Sequence, residues 1–156
     1  NPDFFEALKI RDIEDVHSIL VEKLDIPRNL RKELVRIGGT EYIPLDNEHQ
    51  IRESLHQACT VINSTNNVFE KALLALVLLS YIQAFMDGNK RVARIVANGI
   101  LITNNYCPIS FRTVDSADYK KAMLVFYEQN NLSIFKQIFI DQFRFAVGEY
   151  FRVRAD

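Results

Sequence analysis

Tryptophan is absent from this chain of 156 residues, cysteine occurs twice, proline four times and glycine five times. Two cysteines, Cys59 and Cys107, are too few for a disulfide scaffold and lack metal-ligand spacing, so they are expected as reduced, packed thiols of a cytoplasmic protein. The scarcity of proline and glycine leaves little room for long linkers or low-complexity sequence and excludes disorder over most of the length. No charge sign dominates: 19 Lys and Arg stand against 20 Asp and Glu, a formal net charge of −1. That balance excludes binding of nucleic acid or an anionic membrane through bulk charge, and any anion site must be local. Long hydrophobic runs are also missing. The most apolar stretch, Ala72 to Ile82, is about eleven residues against the roughly twenty that span a bilayer, and it reads as a buried helix. The chain opens on Asn1-Pro2-Asp3, with no initiator Met, basic n-region or cleavage site, as expected of a trimmed fragment without a signal peptide.

What is present is an apolar content of 48%, ample for one core, and a helical period. Residues 1–156 are therefore expected to form a single domain. Leu55, Ala58, Cys59 and Ile62 continue a stripe begun at Ile51, with Asn47 and Gln50 placed as N-cap and N3 partner. Val68 to Ile82 is apolar nearly all round and should be a central helix; Val92 to Ile102 reads the same way. Tyr119, Ala122, Met123, Phe126 and Tyr127 mark a helix begun at Asp115 or Ser116, and Ser133 is placed to cap a last helix to about Phe151. The aromatic residues of that tail, among them Phe135, Phe139 and Phe143, read as core spacing rather than as a stacking platform for single-stranded nucleic acid. Near the start, Asp12 is placed to cap a helix presenting Val16, Ile19 and Leu20, and Pro27 suits the first turn of another presenting Leu30 and Leu34. This makes six or seven helices. The exception is Val35 to Leu45, where Gly38-Gly39 between Ile37 and Tyr42-Ile43 predicts a short β-hairpin.

The segment between the two most apolar helices carries the chemistry. A loop that feeds a helix N-terminus directs free N–H groups and the positive end of the helix dipole at whatever lies above it. Gly88 allows close approach of the backbone, Asn89 adds a donor, and Arg91 and Arg94, three apart, can converge on phosphate. Asp87 beside this cationic nest makes sense if it holds a cation such as Mg²⁺ shared with the phosphates. His49 and His56 share a helix face without a third ligand, and His17 is isolated, so none of the three reads as a metal site.

Phe85-Met86-Asp87-Gly88-Asn89-Lys90-Arg91-Val92-Ala93-Arg94 resembles the signature of the Fic (filamentation) family, H-x-F-x-(D/E)-G-N-(G/K)-R-x-x-R, at every fixed position except the first. The likeness extends upstream to Tyr42-Ile43-Pro44 and downstream through Asn98 and Cys107 to Phe111. It implies an all-α Fic-type domain of six to eight helices, with a β-hairpin flap at about 35–45 and the motif loop at 83–94. The implied activity is transfer of AMP from Mg-ATP to a Ser, Thr or Tyr hydroxyl of a target protein, although related members move other phosphate-containing groups. By the same resemblance Asp87 would bind Mg²⁺, and Gly88, Asn89 and Lys90 would form the anion hole. Arg91 and Arg94 would hold the outer phosphates, Asn98 would lie near the adenosine, and Tyr42 and Ile43 would align the target by strand pairing. Lys at position 90 also occurs in the death-on-curing toxins, which resemble Fic proteins but act as kinases.

One departure bears on catalysis. The family's catalytic His corresponds to Gln83, whose amide can orient a hydroxyl but has no useful basicity near neutral pH. The resemblance therefore implies either an impaired transferase or a non-catalytic module that binds nucleotide or peptide. Many Fic proteins are held inactive by a helix carrying (S/T)-x-x-x-E-(G/N). Ser18 to Glu22 has the spacing but ends in Lys23, so the inhibitory helix is expected outside residues 1–156 or on a partner. Periodicity leaves the oligomeric state open.

Overall fold

The computed structural model describes residues 5–150. Six helices follow one another, α1 (Ile10–Leu20), α2 (Glu48–Ser64), α3 (Val68–Ile82), α4 (Asn89–Thr103), α5 (Ser116–Gln129) and α6 (Ser133–Tyr150), with no strand among the described residues. Their placement follows from caps and apolar faces. Asn47 Oδ1 accepts from the N–H groups of His49 and Gln50, Asn67 Oδ1 from those of Phe69 and Glu70, and Asp115 Oδ1 from that of Ala117, so α2, α3 and α5 each begin at an Asx side chain.

α3 is the central element, with Ala72, Ala75, Leu76 and Val77 fully buried. Its broadest interface is with α4, α2 covers another side, α1 lies across α4 and α2, and α5 packs on α6. Ala72 and Ala75 on α3 and Ala93 and Ala97 on α4 are buried small residues that let these helices pack closely in the core. No helix among the described residues is long and apolar enough to cross a membrane. Both cysteines are buried and unpaired, and burial pushes the Cys59 thiol up to about 11.

Several local expectations need correction. α1 starts at Ile10, and Asp12 sits inside its first turn, where its carboxylate accepts the Lys9 N–H at 2.8 Å. Ile19 is 75% exposed; the buried face consists of Ile13, Val16 and His17. α4 is wrapped on one side only, since Ile95 and Ile102 face solvent. The N–H of Ser133 donates to Asn131 Oδ1, so the preceding turn supplies the side-chain cap; Phe151 lies outside the described residues.

The larger correction concerns residues 21–47, which hold neither the helix expected after Pro27 nor the hairpin expected at 35–45. The Arg31 N–H donates to the carbonyl of Ala84 at 3.0 Å instead of continuing a helix, and Leu34 is exposed. Gly39 makes the turn at φ +86, but the flanking residues form no ladder. Two isolated strands are marginal in water, and here side chains take the place of strand pairing. Thr40 Oγ1 accepts the Tyr42 N–H and donates to Glu128 on α5, and the Tyr42 ring stacks on Tyr81 at 4.4 Å. The segment is a strap laid across the ends of α3 and α5.

Candidate active site

α3 ends at Ile82, and its C-cap residue Gln83, at a left-handed φ of +51, turns the chain out of the helix. Phe85 then drops into the core at 1% exposure and anchors the loop. Asn89, the first residue of α4, closes it: Oδ1 accepts the Phe85 N–H at 2.9 Å, and Nδ2 donates to the Phe85 carbonyl at 2.7 Å. Asn89 is 8% exposed, so its amide shapes the loop from within. Gly88 is the N-cap residue at φ +88, a backbone conformation that disfavours a side chain, and it offers no side-chain cap to the N–H groups of the first turn.

Those groups border a cleft of about 450 Å³ lined by Val35, Arg36, Gln83, Met86, Asp87, Gly88, Asn89, Lys90 and Arg91. Three cationic side chains meet one carboxylate there. Asp87 Oδ1 accepts the Gly88 N–H at 2.6 Å, and Oδ2 lies 3.3 Å from the Arg91 guanidinium. The pair is solvated, with the Asp87 side chain 65% exposed, so its net strength is small. Arg36 makes no ion pair or hydrogen bond with the described residues, which leaves its charge available to a ligand in this cleft.

The candidate residues do not all converge. Arg91 borders the cleft, whereas Arg94, one turn later, lies over the rings of Tyr119 and Phe111, 4.7 Å and 5.3 Å from their centroids. Asn98 forms a two-way clamp with Ile109, donating from Nδ2 to its carbonyl at 2.9 Å and accepting its N–H at 2.8 Å. Tyr42 and Ile43 line a neighbouring, more apolar cleft of about 500 Å³ with Leu45, Tyr81 and Ile82. Val35 and Arg36, from the strap, are the residues that face the motif loop.

Gln83 is enclosed by hydrogen bonds. Its Nε2 donates to the Ser80 carbonyl and its Oε1 accepts from Asn89 Nδ2 at 3.3 Å. Tyr127, whose phenol donates to the same Ser80 carbonyl, is held well above the ordinary tyrosine range, chiefly by burial. Two residues not singled out by the periodicity hold the loop from behind. Arg31, 2% exposed, donates from Nε to the Gln83 carbonyl and from Nη1 to that of Glu33, and burial lowers its pKa. His17 bonds to the carbonyl of Asp87 at 2.9 Å and stacks on Phe85. Neither position carries a local signal for this role, because the loop carbonyls they hold, those of Gln83 and Asp87, lie more than fifty residues away in sequence.

The described residues contain no cluster of three or more His, Cys, Asp or Glu able to hold a metal ion. A closed protein cage for a metal is thus absent from them. A single exposed carboxylate beside a cationic cleft nevertheless fits Mg²⁺, which keeps several waters and is commonly shared between one or two carboxylates and substrate phosphates.

A model of the Fic/DOC family matches residues 7–101, more than half of the chain. The chain belongs to the Fic/DOC family. Its fold is similar to that of Fic-1 (residues 134–508) from C. elegans, with a TM-score of 0.80 at 20% identity over 94% of this chain and 44% of that one. It is also similar to BepC, a VirB-translocated effector of Bartonella tribocorum solved with bound AMPPNP, with a TM-score of 0.70 at 18% identity over 83% of this chain and 71% of that one. The chain spans less than half the length of the Fic-1 structure.

Proposed function

We propose that the cleft at the start of α4 binds a Mg²⁺-nucleotide, ATP above all, for transfer of AMP to a protein hydroxyl, and that Gln83 leaves this chain weak or inactive in that reaction. The single observation that carries the reading is the loop itself: an N-cap glycine at φ +88 opens α4 without a side-chain cap, beside Lys90, Arg91 and Arg36. This is the arrangement that binds polyphosphate through backbone N–H groups and the helix dipole. The AMPPNP bound by the structural relative BepC, an ATP analogue, supports the same class of ligand. Mg²⁺ would sit between Asp87 and the phosphate oxygens and offset their charge.

In the transfer a hydroxyl oxygen of the target bonds to the α-phosphorus, the bond to the pyrophosphate oxygen breaks, and pyrophosphate leaves. The hydroxyl proton needs an acceptor. Gln83 lines the cleft and, by the motif resemblance, would occupy that acceptor's position; its carboxamide, already bonded to Ser80 and Asn89, offers no basic lone pair. Absence of a general base costs about 10²- to 10⁴-fold in rate. The engaged amide also favours a second reading, in which the domain binds nucleotide without turnover and uses the apolar cleft at Tyr42 and Ile43 to hold a peptide of a partner protein.

Titration calorimetry with ATP and Mg²⁺ tests the binding step common to both readings. Saturable binding that Arg91→Ala weakens about tenfold is the expected result, as for loss of one charge-assisted contact. Absence of binding by the parent chain would contradict it.

A further inference from the structure

We propose that His17, on α1, is a positioning residue that fixes the orientation of the Asp87–Gly88 peptide, so that the Gly88 N–H faces the cleft as an anion donor. The inference rests on the nucleotide reading for the identity of the ligand but not for the geometry. His17 is a fully buried polar side chain. Its ring lies flat on Phe85, with centroids 3.8 Å apart and planes 3° from parallel. Nε2 lies 2.9 Å from the Asp87 carbonyl oxygen, and because a carbonyl can only accept, Nε2 carries the hydrogen. Nδ1 is buried without a partner. Packing alone would be better served by an aromatic hydrocarbon, which could stack on Phe85 without leaving a ring nitrogen dry. What the imidazole adds is the bond to Asp87.

That bond has a directional consequence. The described chain contains no cis peptide, so the C=O of Asp87 and the N–H of Gly88 point to opposite sides of their shared plane. With the oxygen held by α1, the N–H points away from α1. On that side it meets Asp87 Oδ1 at 2.6 Å, and this carboxylate oxygen marks where an oxygen of a bound anion would sit. Gly88 makes the arrangement feasible and also labile. A Cβ there would stand 3.3 Å from Leu20 Cδ2 and 3.5 Å from His17 Cδ2, a snug but tolerable fit, so the φ of +88 more than the space is what calls for glycine here. A peptide that precedes glycine can flip with little steric penalty, and a flip would turn the carbonyl oxygen toward the phosphates. His17 opposes that flip.

Two variants separate the hydrogen bond from the ring. His17→Phe keeps the stacking and loses the donor, whereas His17→Gln keeps a donor and loses the ring. In His17→Phe the Gly88 amide resonance of the ligand-free protein is expected to shift, and the Kd for Mg-ATP to rise about tenfold, with the thermal midpoint within about 3 °C of the parent. His17→Gln is expected to keep the parent amide position and to bind within about threefold of the parent, even if the midpoint falls. An unshifted Gly88 resonance in His17→Phe would overturn the proposal, as would losses of affinity in both variants that follow only their losses of stability. The resonance needs no nucleotide, so a parent that fails to bind Mg-ATP would count against the nucleotide reading while this test of His17 stands.

Discussion

The guanidinium of Arg94 rests 4.7 Å from the centre of the Tyr119 ring, turned away from the cleft that Arg91 borders. Two arginines one turn apart therefore have different surroundings: one solvated beside Asp87, the other held over Tyr119 and Phe111 with its Nε buried and without a hydrogen-bond partner. In this geometry the Tyr119 ring face matters more than its hydroxyl, which is likewise buried and interacts with Arg94 without a well-formed hydrogen bond. Tyr119→Phe should leave stability within about 1 kcal/mol of the parent, because a buried hydroxyl without a well-formed hydrogen bond adds little. Tyr119→Leu should lose about 2 kcal/mol as the cation–π contact and ring packing go together. Urea midpoints of the two variants measure this, and equal losses would return the contribution to the hydroxyl.

The carboxylate of Asp87 now occupies two groups that a phosphate would use, the Gly88 N–H and the Arg91 guanidinium. If Asp87 holds Mg²⁺ as proposed, Asp87→Ala should weaken ATP binding about tenfold or more with Mg²⁺ present. Without Mg²⁺ the same variant should bind ATP at least as well as the parent, since an anionic competitor has been removed. Calorimetry in Mg²⁺ and in EDTA distinguishes the two, and equal effects in both would make Asp87 a turn-former alone.

Most of the fold is legible in the sequence for a physical reason: α2, α3 and α5 are specified by caps and apolar stripes within their own residues. Asn47, Asn67 and Asp115 cap where the pattern begins, and Leu76 and Ile100 lie in the core as periodicity requires. The motif loop is equally legible, because Phe85, Asp87, Gly88 and Asn89 act on one another across a few residues. The strap is not. Whether Arg31 continues a helix after Pro27 depends on a carbonyl at Ala84, and whether Tyr42 pairs in a strand depends on the Tyr81 ring, neither of them near in sequence. His17 and Arg36 escape for the same reason. An isolated histidine on an apolar face and one more arginine in a charged segment acquire meaning only when α1 and the strap are laid against the loop.

Three phenols, Tyr119 and Tyr127 buried and Tyr42 half-buried, make alkaline pH a probe of this packing. Tyr42, Tyr119 and Tyr127 are all raised above the ordinary tyrosine value, chiefly by burial. In the unfolded chain they ionise near pH ~10, while the native state keeps their protons, so above that pH the native state binds more protons and stability falls as pH rises. The stabilisation should be whole below pH ~10 and decline beyond it. Tyr42→Phe keeps the stack on Tyr81 and removes one of the raised groups, so its urea midpoint should fall less steeply than that of the parent between pH 9 and 11, the interval that brackets the free phenol value of about 10. Parallel curves would show that Tyr42 ionises as freely in the native state as in the unfolded one.

Gln83→His would restore a proton acceptor to the cleft and so decide between an impaired transferase and a domain that does not transfer. Histidine is among the residues that tolerate the left-handed backbone found at this position, and the bond from Arg31 is to the backbone carbonyl, so fold and ATP affinity should change little. With an unperturbed pKa of about 6.5, an imidazole there is mostly neutral at pH 7.5 and can take the hydroxyl proton. Incubated with Mg²⁺ and ATP labelled at the α-phosphate, Gln83→His should label itself or an added cell-lysate protein, and the parent chain should give a trace or nothing, a gap of about 10²-fold or more. Strong labelling by the parent would contradict the assignment of Gln83 as a disabling residue, and label transferred only from the γ-position would contradict AMP transfer in favour of phosphoryl transfer.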